Sequence, residues 1–167
     1  MAANRARWGV LALALVCLSA TACSKKAETN EPAADADQPL AQGERALKRG
    51  TWESEPFKLE DDAEVQVSAE LKDGPAVDVY VLSEAGLNQW NTMVSSGQQN
   101  SLKPEYFPAL GLEGLSASFT SPWTGLKAGN YFIVIDNTSY GGTAPPSSRS
   151  NDIATVDFKV ESRASGE

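Results

Sequence analysis

Acidic and amide side chains near the ends of apolar stretches are the residues of this 167-residue sequence best suited to bind an ion. Asp136 and Asn137 follow the apolar run of residues 131–135, and Asp78 lies inside the apolar run of residues 77–82. Carboxylate and amide oxygens are ligands that calcium takes in proteins. Their spacing matches no fixed calcium loop, and Asp and Asn also form ordinary turns. The sequence thus indicates a candidate calcium site at these three residues, beside the plainer interpretation as turn formers.

Three large aromatic residues near expected loops and strand ends, Trp90, Trp123 and Tyr140, are candidates for stacking against a ligand. An exposed ring can pack on a sugar ring or hold a partner protein. The alternative is that Trp90 and Trp123 close the ends of the hydrophobic core. Tyr140 is followed by Gly141 and Gly142, which offer no core to bury it, so we expect this ring to be the most exposed of the three.

Catalytic chemistry has little support in the sequence. The chain has no histidine, which removes the Ser-His-Asp arrangement and the most common zinc ligand. Pairs of carboxylates could act as acid and base, but no spacing between them predicts a cleft. We therefore expect no catalytic residue, with a carboxylate-based hydrolase as a remote alternative. A glycosylation sequon at Asn137, Thr138 and Ser139 is explained sufficiently by a turn.

The N-terminal segment has the organisation of an export signal, with Arg5 and Arg7 before an uncharged apolar run of residues 8–18. This run is shorter than the roughly 20 residues that cross a hydrocarbon core. Small residues follow it, and the sequence Ala-Thr-Ala-Cys that ends at Cys23 resembles the lipobox of bacterial lipoproteins. The resemblance implies cleavage between Ala22 and Cys23 and acylation of Cys23 with fatty acids such as palmitate. The alternative is an ordinary secreted protein that is cut after Ala22.

Lipidation of Cys23 implies a location in the bacterial cell envelope, attached to a membrane through the acyl chains. Ser24 follows the cysteine in place of Asp. In enteric-type bacteria this pattern resembles lipoproteins that are passed on to the outer membrane, which is therefore favoured over the inner membrane. Removal of residues 1–22 leaves 12 basic against 22 acidic side chains, a net charge of −10. Such a domain is not expected to bind nucleic acid, which requires cationic contacts to phosphate.

Composition divides the mature chain into a linker and one folded domain. Residues 23–43 contain few large apolar side chains and cannot offset the entropy of ordering, so we expect a lipidated, disordered linker. Residues 44–163 form the expected domain, which begins with a short helical turn over residues 44–49, and residues 164–167 form a tail. Because acylation consumes the thiol of Cys23, the core must hold the domain together without a disulfide.

Apolar residues that recur with a period of two predict strands across the domain. Residues 65–71 and 76–82 are separated by Gly74 and Pro75, and we expect these two strands to form a hairpin. Further strands are expected at residues 115–120, 131–137 and 154–160, with helical turns around Leu87, Trp90 and Val94. Several short antiparallel strands with little helix predict an all-β antiparallel sandwich.

Three segments resemble the bacterial pre-peptidase C-terminal domain and its jelly-roll relatives. They are an early strand at residues 65–67, the sequence Val-Asp-Val-Tyr-Val-Leu at 77–82, and residues 126–137, where a glycine turn precedes an aromatic strand. The resemblance covers residues 50–162 and implies a jelly-roll fold. In that family the domain is an accessory module on secreted hydrolases, and some members bind calcium or polymeric substrates. It implies a binding module for an envelope protein or glycan, the alternative being a structural surface lipoprotein without a ligand site.

Overall fold

The structure, a computed structural model, describes residues 39–97, 104–143 and 152–165. The expected export signal, Cys23 and most of the expected linker lie outside these ranges. The described residues form nine strands, one α-helix and one short 3-10 turn at Pro108–Leu110. The strands and the helix are β1 (Ala41–Lys48), β2 (Trp52–Leu59), β3 (Ala63–Asp73), β4 (Val77–Ser83), α1 (Glu84–Ser96), β5 (Leu112–Leu115), β6 (Ser118–Thr120), β7 (Thr124–Leu126), β8 (Gly129–Asp136) and β9 (Ile153–Ala164).

The strands form two antiparallel sheets that pack face to face. Sheet A has the order β1-β9-β3-β6, and sheet B has the order β2-β8-β4-β5. β6 and β7 pair with two separate stretches of β3, so together they occupy one interrupted strand position. With that position counted once, each sheet has four positions, which is the eight-stranded jelly-roll arrangement. The predicted all-β antiparallel, jelly-roll-like sandwich is confirmed.

The main hydrophobic core fills the space between the two sheets. Val65 and Val67 of β3 point inward and are fully buried, while Gln66 between them lies half-buried on the outer side of sheet A. Sheet B contributes a similar inward row, in which Val79 pairs with Ile135 and Val81 pairs with Ile133. Burial of apolar area, at about 25 cal/mol per Å², makes this interface the largest favourable contribution to the fold.

A second apolar cluster covers the outer face of sheet B. Helix α1 follows β4 directly, with Ser83 as its N-cap, and ends at Gly97 in the left-handed conformation with φ of 65°. Its apolar side lies on β4 and β8, so these two strands are covered on both faces. Within the described ranges, no helix is long and apolar enough to cross a membrane. The buried members of this outer cluster are Tyr80, Leu82, Trp90, Met93 and Val134.

The predicted hairpin between residues 65–71 and 76–82 is wrong. β3 belongs to sheet A and β4 to sheet B, so the turn at Gly74 carries the chain across the sandwich. The burial patterns explain the difference, because β3 alternates whereas every residue of 77–82 is buried. A strand that is covered on both faces belongs at the centre of a sheet with layers on either side. Sheet B, under α1, provides that position.

The predicted helical turn at residues 44–49 is also wrong, and the folded part begins earlier than residue 44. Ala41–Lys48 is strand β1, which pairs along its length with β9. Arg45 stabilises this strand because its guanidinium reaches Glu55 at 2.6 Å and Glu53 at 3.2 Å, both on β2. At the other end, β9 continues to Ala164, inside the expected tail.

The single strand expected at residues 115–120 is divided between the two sheets. Leu112–Leu115 is β5 at the edge of sheet B, and Ser118–Thr120 is β6 on sheet A. Leu115 is fully buried, whereas Ser116 and Ala117 are exposed where the chain crosses over. The expected strands at 131–137 and 154–160 are present as β8 and β9.

Candidate functional site

Two buried carboxylates meet on the outer face of sheet B. Asp78 in β4 and Asp136 at the end of β8 are direct partners in the antiparallel register, so their side chains lie on the same face. Both residues are 0% exposed. Two like charges in such a position are costly unless hydrogen bonds or a proton compensate them. The donors around each carboxylate therefore define its chemical state.

The Asp78 carboxylate accepts three hydrogen bonds. Its Oδ1 accepts from the Gly114 N–H at 2.7 Å. Its Oδ2 accepts from the Thr143 N–H at 2.8 Å and from the Tyr80 hydroxyl at 3.1 Å. We call residues 138–143 the 138–143 loop. Through these hydrogen bonds, Asp78 attaches β5 and the 138–143 loop to the centre of sheet B.

Tyr80 relays this network to the same loop. Its hydroxyl donates to Asp78 and accepts a hydrogen bond from the Gly142 N–H at 3.0 Å. Burial raises the pKa of the Tyr80 hydroxyl, so the group remains a donor over the ordinary pH range. Its ring contacts Tyr106 and Trp90, with centroid distances of 5.1 and 5.5 Å. The polar network therefore grows directly out of the outer apolar cluster.

Asp136 has fewer donors than Asp78. Its Oδ1 accepts from the Thr138 N–H at 3.0 Å. Its Oδ2 is buried and has no hydrogen-bond partner among the described residues. Burial raises the pKa of the Asp136 carboxyl to about 6. The hydrogen bonds from Thr138 lower this pKa in part, and the negative charge of Asp78 raises it by a smaller amount. The backbone N–H of Gly141 also lowers the pKa of Asp136, and its effect is the smallest of these.

Gly141 brings the loop against both carboxylates. A Cβ built at this position would lie 2.5 Å from Asp136 Oδ2 and would collide more severely with Asp78 Oδ2. Real Cβ atoms do not approach an oxygen so closely, so only glycine fits here. Since both Oδ2 atoms pack against the same point of the backbone, they also lie close to each other.

Asn137, the third residue of the predicted calcium site, points elsewhere. Its side-chain nitrogen donates to Leu47 O at 3.0 Å and Asp152 O at 3.3 Å. Its backbone accepts from Gly50 N at 2.8 Å and donates to Thr51 O at 3.0 Å. Asn137 therefore joins the β1–β2 turn to the end of β8. Because it is 0% exposed, its side-chain nitrogen is inaccessible for glycan attachment.

The described residues do not suit a calcium ion. Calcium takes six to eight oxygen ligands, whereas no group of three His, Cys, Asp or Glu side chains within the described ranges is arranged to hold a metal. Three of the four oxygens of Asp78 and Asp136 already accept hydrogen bonds from the protein. The structure brings these two residues together but directs the amide nitrogen of Asn137 to two backbone carbonyls. Calcium binding stays a prediction, and no role is derived from it.

The three stacking candidates are placed differently from one another. Trp90 is 1% exposed within the outer cluster, so it is inaccessible to a ligand and its core interpretation is the correct one. Trp123 is half-buried and lies under the guanidinium of Arg163, 4.5 Å from the ring centroid. Tyr140 is half-buried and packs against the outer cluster, so it is less exposed than expected.

The outer face of sheet B carries an open groove of about 280 Å³ beside the start of α1. Pro56 of β2 and Phe132 of β8 are direct partners in the register and form its apolar floor. Lys58 and Asn130 form the next pair but one along the same two strands. Glu84, the first residue of α1, completes the rim. We call these five residues, together with Phe57 between Pro56 and Lys58, the sheet B groove.

A second groove of about 280 Å³ runs along β3, β6 and β9. Two of its acidic side chains, Glu70 and Asp157, form ion pairs with Lys72 at 2.8 and 3.2 Å. Much of its polar lining is thus engaged by the protein itself. In the sheet B groove, Lys58 also forms an ion pair, with Glu60 at 3.0 Å on the exposed surface. This groove combines that cation with a ring, a proline and the carboxylate of Glu84, and is the better candidate for a ligand.

The sheet B groove is the site that reasoning from the sequence missed. Phe132 and Asn130 occupy alternate positions of β8, so their common direction was readable from the period of two. Pro56 and Lys58 lie on β2, which was not assigned as a strand. Without a partner strand, the pairing of Phe132 with Pro56 could not be foreseen.

Comparison with known proteins gives distant structural similarities. No family matches the chain, and no curated protein matches it. Among solved structures, the chain is similar to the pre-peptidase C-terminal domain of collagenase from Bacillus anthracis, with a TM-score of 0.40 and 10% sequence identity. The similarity covers 72% of this chain and 89% of that chain. The assignment of the fold rests on the strand order of the chain itself.

Proposed function

We propose that the chain is an exported lipoprotein of the bacterial cell envelope, anchored through Cys23, whose sandwich binds a glycan in the sheet B groove. The observation that supports binding is the alignment of an apolar pair and a polar pair on the same two strands. Pro56 pairs with Phe132, and Lys58 pairs with Asn130.

A glycan fits the chemistry of this groove. A sugar ring has an apolar face of C–H groups and an edge of hydroxyl groups, which are both donors and acceptors. The floor of Phe132 and Pro56 matches the apolar face, since aromatic rings pack against such surfaces. Lys58, Asn130 and Glu84 offer a cation, an amide and a carboxylate to the hydroxyl edge. A shallow, open groove also admits one unit of a long polymer.

The anchor supports such a role by concentrating the domain at the membrane. The segment from Cys23 to the start of β1 would span roughly 20–25 Å as a flexible chain. Many copies held on one surface engage a polymeric glycan together, and multivalency raises the overall affinity of a weak single site. Outer-membrane attachment would place the groove within reach of the polymers of the envelope.

The binding proposal is tested with the full mature lipoprotein in detergent. The probes are purified cell-wall sacculi in sedimentation assays and soluble polysaccharides in calorimetry. Replacing Phe132 by Ala should weaken glycan binding about tenfold, equivalent to roughly 1.4 kcal/mol. The matched control is Trp123→Ala in the segment between β6 and β7, which should leave binding unchanged because it removes a half-buried ring that does not line the groove.

Equal loss of binding in both variants, or no loss in Phe132→Ala, would exclude the sheet B groove as the glycan site. Absence of binding to all glycan probes would contradict the binding function and favour a structural surface lipoprotein. Capture of a protein partner through Phe132 would contradict the glycan assignment while retaining the groove.

The anchor is tested separately by mass spectrometry of the protein from bacterial membranes. We expect a mature N-terminus at Cys23 that carries diacylglycerol and a third acyl chain. The variant Cys23→Ala should retain the export signal and should lack the lipid. An unmodified thiol at a mature Cys23 would contradict the anchor, whatever the outcome of the glycan assays.

A further inference from the structure

The two carboxylates on the outer face of sheet B cannot both carry a full charge without compensation. Asp78 and Asp136 are directly opposite in the register and both are 0% exposed. Their Oδ2 atoms converge on the backbone of Gly141. Like charges directly opposite in a sheet are destabilising even at the surface, and removal of water strengthens the repulsion.

The hydrogen bonds decide which carboxylate is the acid. Asp78 accepts hydrogen bonds from Gly114, Thr143 and Tyr80, so both of its carboxylate oxygens have donors. Asp136 accepts from the Thr138 N–H through Oδ1, and its Oδ2 has no donor among the described residues. A buried oxygen without a donor is satisfied if it carries a proton and donates it.

We propose that Asp78 and Asp136 share one proton, carried on Asp136 Oδ2 and donated to Asp78 Oδ2, and that this proton holds the 138–143 loop closed over sheet B. The loop is attached to the pair at three points. Thr138 N–H and Thr143 N–H donate to the two carboxylates, and Gly141 packs against both Oδ2 atoms. Loss of the proton to water leaves two adjacent negative charges beneath the loop.

Among the described residues, the neighbouring groups offer little to offset these charges. Tyr80 and Asp78 face Asp136 from β4, Glu113 of β5 lies against Gly142, and Trp52 is the β2 partner of Asp136. None of these four residues is a cation. The device is independent of the proposed glycan site, because the groove residues and the anchor take no part in it.

The direction of the pH effect follows from the raised pKa of Asp136. Its ordinary value is 3.8 and its value in the folded protein is about 6. A carboxyl with a raised pKa stabilises the fold below the ordinary value, and this stabilisation is lost as the pH rises through about 6. The unfolding equilibrium constant should therefore increase about fiftyfold between pH 4 and pH 7 from this group.

The two isosteric variants of the pair should behave in opposite ways, and this asymmetry is the test. In Asp136→Asn, the amide oxygen can still accept from Thr138 and the amide nitrogen can donate to Asp78. We expect this variant to keep its thermal midpoint at pH 4 and to lose the fall between pH 4 and pH 7. In Asp78→Asn, the amide nitrogen must face either Gly114 N–H or Thr143 N–H, so the midpoint should fall at both pH values.

Hydrogen exchange of the purified lipoprotein locates the effect. After correction for the intrinsic rate, Thr138 and Thr143 amide protection should decrease above pH 6 in the wild-type protein and remain constant in Asp136→Asn. Glu113→Gln, which neutralises the neighbouring exposed carboxylate, is the control and should retain the wild-type pH dependence.

The proposal is overturned if Asp136→Asn has the same pH dependence as the wild type, or if Asp78→Asn and Asp136→Asn are equally destabilised. It is also overturned if 1 mM calcium raises the midpoint at pH 7 in the wild type and not in Asp136→Asn, since a metal rather than a proton would then hold the pair. Uniform loss of protection through the whole domain would contradict a local effect on the loop.

Discussion

The two faces of sheet B are built from the same strands but are held by different interactions. On the inner face, Ile133 and Ile135 of β8 pack against apolar residues of sheet A and β4. On the outer face, Val134 lies in an apolar cluster, and Asp136, two residues further along, lies in a network of hydrogen bonds. Because side chains alternate between the faces of a strand, neighbouring residues of β8 lie in the apolar core on one face and in a buried polar network on the other.

This difference has an energetic consequence. Apolar burial is non-directional and independent of pH. A substitution by a smaller apolar residue on the inner face should therefore lower the free energy of unfolding in proportion to the volume lost, equally at every pH. The outer face depends on specific donors and on one proton, so removal of a single atom can leave several groups unsatisfied. The inner face should set the total stability, and the outer face should set the position of the 138–143 loop.

The largest loss is expected from a change on the inner face. Replacing Ile133, which is 1% exposed, by Ala should lower the free energy of unfolding by about 3–4 kcal/mol through lost burial and a residual cavity. Denaturation with urea at pH 5 and pH 7 should give the same loss at both values. A loss that depends on pH would contradict the separation of the two faces.

Removal of the central acceptor on the outer face should cost somewhat less. Asp78→Ala leaves Gly114 N–H, Thr143 N–H and the Tyr80 hydroxyl without their acceptor, which should cost about 2–3 kcal/mol. The same urea titrations measure it, and hydrogen exchange should show the largest change in the 138–143 loop. A cost below about 0.5 kcal/mol would show that this network contributes little.

A methyl group added beneath the loop should have a smaller but localised effect. Gly141→Ala forces its Cβ against both carboxylates, and we expect a loss of about 1–2 kcal/mol with displacement of the loop. Gly125→Ala is the matched control, because nothing lies within 4 Å of its Cβ position. If both substitutions have equal effects on the thermal midpoint, the close approach of the loop to the carboxylates is wrong.

The smallest effect is expected from removal of one oxygen atom. Tyr80→Phe keeps the ring in the outer cluster but removes the donor to Asp78 and the acceptor for Gly142 N–H. The free energy of unfolding should fall by about 1 kcal/mol, again with local exposure of the loop. No change in Gly142 amide exchange would remove Tyr80 from the network.

The inner face could be predicted from the sequence because its signal is periodic and local. Val65 and Val67 alternate with polar residues, and the apolar runs of β4 and β8 indicate strands covered on both sides. The order of the strands was harder, since the hairpin expected across Gly74 joins two strands that belong to different sheets. Only the full burial of residues 77–82, set against the alternation of β3, carried that information.

Strand β1 shows how tertiary contacts override local propensity. Its sequence, with Ala, Glu, Arg, Leu and Lys, consists mainly of good helix formers. Pairing with β9 and the ion pairs of Arg45 with β2 nevertheless hold it as a strand. No feature within residues 41–48 reports these partners, so the expected helical turn was a reasonable but wrong result of local reasoning.

The outer face was predictable only in part. Asp78, Asp136 and Asn137 could be selected from their residue types and their places in apolar runs. Their roles could not, because the donors come from residues far away in sequence, such as Gly114 for Asp78 and Leu47 for Asn137. A calcium site, a turn and a shared proton predict the same residue types and differ only in geometry.

The most direct measurement of the shared proton is the titration of Asp136 itself. Carbon-13 labelling of aspartate allows the side-chain carboxyl shift of Asp136 to be followed by NMR from pH 3 to pH 8, with Asp136→Asn identifying the signal. The account predicts a midpoint for Asp136 at about 6, accompanied by matching shifts of the Thr138 and Thr143 amides. A midpoint near the ordinary 3.8, with amide shifts that do not follow it, would contradict the account.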